Sequence, residues 1–337
     1  MSNKKYDLIT MGRSSIDLYS QDVGAAFHDI KGFHAFVGGS PLNIAVGARR
    51  LGLNVSLLTA LGSDKVGDFI LHFLEQEKVN THVIPRIADA RTSAVVLGIE
   101  PPDRFPLVYY RDNAADIQLT IDHVVAARIE EYRTLEISGT ALSREPSRSA
   151  VFFAVEQAHE KNIPVILDID FRADQWADIR SFGLMVRALL PKITIALGTE
   201  EEILATTLTD IRQVTIQHQQ ISAPRITGNL EASIEMILRT GVETLIVKKG
   251  ASGVSIYQKN KPATDVPGFP VEVLNILGAG DAFAGGFIYG FLQGWDLYKA
   301  CRMGNACGSW VVQKPGCAND MPHLEEVMTM AKAKGGL

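Results

Sequence analysis

The sequence predicts an α/β fold: a mostly parallel sheet covered by helices on both faces, with a small β-sheet lid above it. Two observations lead there. Short, nearly all-apolar runs alternate with helix-length amphipathic stretches, the order expected of a parallel sheet buried on both sides. Two other stretches break that alternation and read as extra strands outside the main sheet.

In chain order, residues 7–11 form the first apolar strand, and 15–19 with 34–37 read as short lid strands linked by a turn. A helical pattern over 41–51 and a strand over 55–58 follow. Residues 92–99 and 107–111 supply the second lid pair, joined by the proline-rich, polar segment 100–106, a plausible hairpin connection. Strands are expected at 135–138, 165–168, 194–197 and 245–247, and helices at 147–161 and 231–240. The polar stretch 205–230 reads as surface helix and loop without an assigned role. No internal repeat is evident, so one domain over 1–337 is expected, its lid strands inserted from about 15–37 and 90–112.

Composition narrows the function. Of 337 residues, 46% are hydrophobic and 21% charged, which supports a sizeable core and argues against disorder. A net charge of −5 with interspersed signs gives no electrostatic footprint for nucleic acid or an anionic membrane. No secretory leader and no membrane-length apolar run are visible, and Cys301, Cys307 and Cys317 lack metal spacing. Reduced, buried thiols in a cytoplasmic protein are therefore expected. Scattered histidines give no zinc motif.

The segment 271–294 carries the chemistry. An apolar run to Leu277 meets Gly278, Ala279, Gly280 and Asp281, followed by a helix with Phe283, Phe287 and Phe291 four residues apart. Glycines at a helix start let backbone approach a ligand, while the free N–H groups and helix dipole favour an anion. A transferring phosphoryl group needs such a place. Asp281 would accept the proton of an attacking hydroxyl, although a plain helix cap explains an aspartate there equally well. A dinucleotide fingerprint fits worse, since Phe283 stands where its third glycine belongs, and no Walker loop is present.

Residues 36–67 contain Gly38-Gly39, Asn43 opening an Ala-rich helix, Leu51-Gly52, then Gly62-Ser63-Asp64 and Gly67. This pattern resembles the first signature of the ribokinase-like (pfkB) carbohydrate kinases, and 275–288 resembles their second. The two stand in the right order about 240 residues apart. The resemblance implies a ribokinase-like, doubly wound α/β domain with a β-sheet lid, using ATP and Mg2+, with room for a monovalent cation (K+). It implies Asp281 as catalytic base and Gly278, Ala279 and Gly280 as the anion hole. Asp17, Gly38, Gly39 and Asn43 would line the sugar pocket. Lys248, Gly250, Gly253 and Asn305 match the nucleotide side. Homodimer formation through the lid would fit the family.

Two departures stand out. Gly198 occupies the position of the family's usual Asn in an Asn-x-x-Glu motif, leaving Glu201 as the best-placed acid near Mg2+, uncertain by one residue. Asn275-Ile276-Leu277 precedes the glycines where Asp-Thr-Thr is usual.

In family members that phosphorylate sugar acids, a lid Tyr-x-Arg and an arginine after a core strand hold the substrate carboxylate. Tyr109, Arg111 and Arg172 match those positions, and arginine's planar fork suits a carboxylate. Structural salt bridges to Asp112, Asp116, Asp168 or Asp170 are the alternative. Residues 12–19 and 101–116, with 198–202 in place of the Asn motif, look like the branch acting on the C6 hydroxyl of 5-dehydro-2-deoxygluconate, in myo-inositol breakdown. A 2-keto-3-deoxygluconate kinase is second and a fructokinase or ribokinase third. From another class, a non-catalytic binding protein would keep the fold without turnover.

Overall fold

The computed structural model describes residues 4–100, 105–216 and 224–337. Strand β1 (Tyr6–Met11) is followed by β2 (Ser15–Ser20), β3 (Phe33–Gly38) and β4 (Val55–Leu58). Next come β5 (Ser93–Leu97), β6 (Leu107–Tyr110), β7 (Tyr132–Ser138) and β8 (Val165–Asp168). The chain continues with β9 (Ile195–Thr199), β10 (Thr244–Lys248), β11 (Val254–Tyr257) and β12 (Thr264–Val266). The main sheet runs β12-β11-β10-β9-β8-β7-β1-β4. Its six strands from β10 to β4 are parallel, and β11 and β12 extend it in antiparallel fashion.

Ten named helices flank the sheet among the described residues. On one face lie α1 (Ser40–Arg50) and α2 (Lys65–Gln76), joined later in the chain by three more. The opposite face carries α3 (Ile121–Ala127), α4 (Ser147–Glu160), α5 (Ile179–Leu189), α6 (Glu200–Thr207) and α7 (Leu230–Arg239). The chain then returns to the first face with α8 (Ala279–Leu292), α9 (Leu297–Val311) and α10 (Leu324–Ala333). Successive strand residues serve opposite cores: Leu8 packs with α1 and α8, while Ile9 and Met11 pack on the other side. Gly285 lets α8 lie close on α1, since a Cβ there would stand 3.3 Å from the Ala48 nitrogen.

The lid is a separate four-stranded sheet, β3-β2-β5-β6. Pairing places Phe36, Asp17, Val95 and Tyr109 directly opposite one another in a single row. Directly opposed residues share a face, so Asp17 and Tyr109 look the same way and Tyr110, 62% exposed, looks outward.

Expected elements and observed ones differ at their ends by up to three residues, as for Tyr132–Ser138 against 135–138. The stretch 205–230 includes a short antiparallel ladder, Val214–Thr215 with Arg225–Ile226. Residues 101–104, within the predicted hairpin connection and the substrate-suggestive run, lie outside the described residues. The three cysteines are free and buried. Among the described residues, no helix is long and apolar enough to cross a membrane.

Candidate active site

Helix α8 begins at its N-cap Gly278, whose φ of +76° suits glycine. Asp281 follows in the first turn, half-buried. Its Oδ2 accepts a 2.6 Å hydrogen bond from Nδ2 of Asn43 on α1, so the two glycine-rich segments, at opposite ends of the chain, meet at one carboxylate. At Gly280 an added Cβ would lie 3.2 Å from Lys248 Nζ, which brings an ammonium to the border of the α8 N-terminus. Lys248 ends β10 and pairs with Asp168 at the end of β8, at 3.0 Å. Ser40 Oγ donates to the other Asp168 oxygen at 3.3 Å. These groups gather beyond the carboxyl ends of parallel strands, where open α/β sheets bind ligands.

Burial raises the Asp281 pKa, and the Asp170 carboxylate adds to that, while the Asn43 hydrogen bond pulls it down. Burial likewise raises Asp168, with Lys248 opposing. Burial works against the charge of Lys248, but Asp168 and Glu202 outweigh it and raise the pKa, so the ammonium persists.

Toward the lid, Asp17 is buried and accepts from Ser15 Oγ at 2.6 Å. Burial raises its pKa and nearby Arg13 opposes the rise. A Cβ at Gly38 would fall 2.0 Å from Asp17 Oδ2, so glycine leaves the space that the carboxylate fills. Gly39, at φ +108°, packs on the Arg13 carbonyl, 2.3 Å from where a Cβ would be. Gly38, Gly39, Asn43 and Asp17 thus converge next to Asp281, consistent with the coulombic interaction between the two aspartates.

The remaining expected residues divide. Arg172 is 35% exposed along its side chain, with Nη2 3.0 Å from Asp170 Oδ1. Arg111 is instead buried in an ion pair: Nε and Nη2 reach Asp116 Oδ2 at 2.8 and 2.6 Å, and Nη1 donates to the Thr140 carbonyl at 3.1 Å. Glu201 is exposed; Glu202 is the acid that turns inward. Thr199 caps α6, and the capping box folds Glu202 back so that it accepts from the Thr199 and Phe171 backbone nitrogens. The expectation at Glu201 is therefore corrected by one residue. Gly198 has its reason too, since a side chain there would meet Ile169 Cδ1 at 2.9 Å.

Asn305 donates to the Val266 and Pro267 carbonyls at 3.1 and 3.0 Å, a buried amide tying α9 to the β12 end. Gly253, in a glycine-only conformation (φ +90°, ψ −130°), packs on the same β12 end, whereas Gly250 faces open space. Lys249 points away to Asp265. Asn275 braces the approach to α8: Nδ2 donates to the Pro315 carbonyl and Oδ1 accepts from Leu277 N.

Three residues were missed from the sequence. Arg13 is buried with its guanidinium 5.1 Å from the Tyr109 ring centre; it stands in the same short segment as Asp17, but was assigned no role from the sequence. Glu202 was hidden in a run of three glutamates. Glu136 is fully buried in β7 with neither carboxylate oxygen hydrogen-bonded, and burial raises its pKa well above the ordinary range. A charge inside an apolar strand was the available signal for it.

Comparison with known proteins fits this geometry. The pfkB family carbohydrate kinase model matches residues 5–324. The 5-dehydro-2-deoxygluconokinase of Bacillus anthracis is 32% identical over 326 residues, covering 96% of this chain and 94% of that protein. A fructokinase with bound ATP from Xylella fastidiosa superposes with a TM-score of 0.83 at 23% identity, covering 97% of this chain and 98% of its own. A fructokinase double mutant from Vibrio cholerae O395, bound to fructose, ADP and potassium ion, gives 0.80 at 22% identity over 97% and 99%. The two kinases share the fold of this chain. With a family model spanning nearly its whole length, the chain belongs to the pfkB family of carbohydrate kinases.

Proposed function

We propose that this carbohydrate kinase transfers the terminal phosphoryl group of ATP to the C6 hydroxyl of a sugar acid, 5-dehydro-2-deoxy-D-gluconate. The observation that carries the reading is the Asn43–Asp281 hydrogen bond at the start of α8. It holds a half-buried carboxylate, the base for a hydroxyl proton, at a helix N-terminus suited to phosphate. The name of the Bacillus anthracis relative supplies the substrate.

In this reading the sugar lies between Asp17, Gly38, Gly39, Asn43 and Arg172 under the lid row of Asp17, Val95 and Tyr109. Asp17 binds hydroxyls with its free lone pairs, and Arg172 faces the acid group. The amides of Gly278, Ala279 and Gly280 and the Lys248 ammonium receive the phosphates, while Gly250 and Gly253 line the nucleotide side. Asp281 takes the proton as the hydroxyl oxygen bonds to phosphorus and the bond to ADP breaks. Lid closure keeps water from competing for the phosphoryl group.

Mg2+ fits the residues present in a limited way. Asp168, Glu202 and Asp281 bring negative charge around Lys248, but among the described residues no three acids, histidines or cysteines form a metal cage. Asp168 and Glu202 would therefore support an ion held mainly by the phosphates and water. When bound, the ion neutralises phosphate charge.

The test is ADP release with MgATP and 5-dehydro-2-deoxygluconate, 2-keto-3-deoxygluconate, fructose or ribose. The highest kcat/KM is expected with the first. Preference for fructose or ribose would overturn the sugar-acid reading and leave the phosphoryl-transfer reading standing. No turnover with any of the four would favour a binding protein that kept the fold.

A further inference from the structure

We propose that Arg13, rather than Arg111, receives the substrate carboxylate, sharing it with Arg172 beneath the lid residue Tyr109. This rests on the sugar-acid reading above and names the residue that enforces it.

Arg111 has no free capacity. Its Nε and Nη2 are spent on Asp116, and its Nη1 on the Thr140 carbonyl and the Ser143 hydroxyl. The side chain is 3% exposed, and its partner Asp116 1%. Drawing Arg111 toward a ligand would strand Asp116 as a buried, unpaired carboxylate, at a cost that a substrate contact would not recover.

Arg13 is the opposite case. The residue is 7% exposed, yet its guanidinium makes one hydrogen bond, from Nη1 to Ser15 Oγ at 2.7 Å. Nε is buried without a partner, and no ion pair joins Arg13 to an acid among the described residues. The edge formed by Nε and Nη2 is thus unused, and that edge matches the two oxygens of a carboxylate. The neighbouring acids are already engaged: Asp17 by Ser15, Asp170 by Arg172, Ser138 and Thr140, and Asp116 by Arg111. Asp17 supports the Arg13 charge through the bridging Ser15 hydroxyl and across space, not by direct contact, so the Nε–Nη2 edge keeps its capacity for a direct carboxylate partner.

Position agrees with charge. Tyr109 covers one face of the guanidinium at 5.1 Å and stands in the same lid row as Asp17. The backbone of Arg13 packs on Gly39. One short segment, from Arg13 to Asp17, therefore offers both a carboxylate receptor and a hydroxyl receptor. Arg172 completes the clamp, because only part of its guanidinium is taken up by Asp170 and the Phe171 carbonyl.

The experiment compares wild type, Arg13→Met, Arg13→Lys and Arg111→Met with two substrates: the sugar acid, and its analogue carrying hydroxymethyl in place of the carboxylate. For Arg13→Met, the KM for the acid should rise roughly 10- to 100-fold, while the KM for MgATP and turnover of the neutral analogue stay near wild type. Arg13→Lys should recover part of the acid KM, because it restores the charge and loses the fork. An unchanged acid KM in Arg13→Met, or an equal loss for acid and neutral substrates, overturns the assignment. So does a selective loss for the acid in Arg111→Met. Unaltered MgATP affinity in each variant confirms that the chain is folded. Wild type that phosphorylates only neutral sugars overturns the sugar-acid reading and this inference together; wild type that takes the acid with Arg13→Met unaffected overturns the inference alone.

Discussion

The two halves of the site are made in different ways. The phosphoryl half is backbone: a helix start, three small residues and one carboxylate, all inside the contiguous run from Gly278 to Asp281. The carboxylate half of the proposed site is side chain: Arg13, Tyr109 and Arg172 arrive from three distant segments, and Arg111 lies in a purely internal pair. Backbone sites leave short, regular traces in a sequence, because the glycines must be adjacent to do their work. Charge clusters leave ambiguous ones, as at Tyr109, Arg111 and Arg172, because the same residue type serves a ligand or a buried partner according to what the fold sets beside it.

The contrast can be pressed hardest at Asp281. Asp281→Asn keeps the shape and the Asn43 contact but removes the base, and kcat should fall by roughly 10²- to 10⁴-fold with ATP affinity little changed. In wild type the rate should decline as pH falls through a value raised above that of an ordinary aspartate, since burial raises this pKa. A kcat within tenfold of wild type would mean that the helix start binds phosphate without proton transfer to Asp281.

The other half should respond in stability where the pair is internal. Arg111→Met strands Asp116 and should cost roughly 3–5 kcal/mol of unfolding free energy, measured by denaturant titration. Adding Asp116→Leu should restore most of it. If Arg111→Met unfolds like wild type, the pair is not the internal brace that its burial indicates.

The smallest effect concerns Glu136, a charge with no partner in either half. Its folded-state pKa is raised, so its stabilising contribution is full below the unfolded value and is lost as pH climbs through the folded one. Glu136→Gln should therefore gain thermal stability relative to wild type on going from pH 5 to pH 8. A difference that stays flat across that range would show that the carboxyl does not take up its proton on folding.

Much of this was legible beforehand. Period and apolar runs locate the strands, and the motifs holding Gly38, Gly39, Asn43 and Asp281 name residues that the structure brings together, because local backbone demands fix such motifs. At Arg111 the structure shows the internal pair, and Glu201 is exposed while its neighbour Glu202 is buried. Asp116, five residues on, was one of several acids that a structural pair could use, and only the fold selects it; the Glu200-Glu201-Glu202 run hides its inward member until the Thr199 cap sets the helix phase. Gly198 was legible as a departure, but its cause, the Ile169 side chain, comes from a neighbouring crossover.

The Asn43–Asp281 bond has a consequence in time as well as space. Synthesis proceeds from the amino end, so the strand of Asp17 and the helix α1 are made long before the Asp281 carboxylate that Asn43 will hold. A nascent or prematurely terminated chain lacking α8 carries half a pocket and no base. On the proposed assignment of the base, the site is complete only once α8 packs along α1 and brings Asp281 to Asn43.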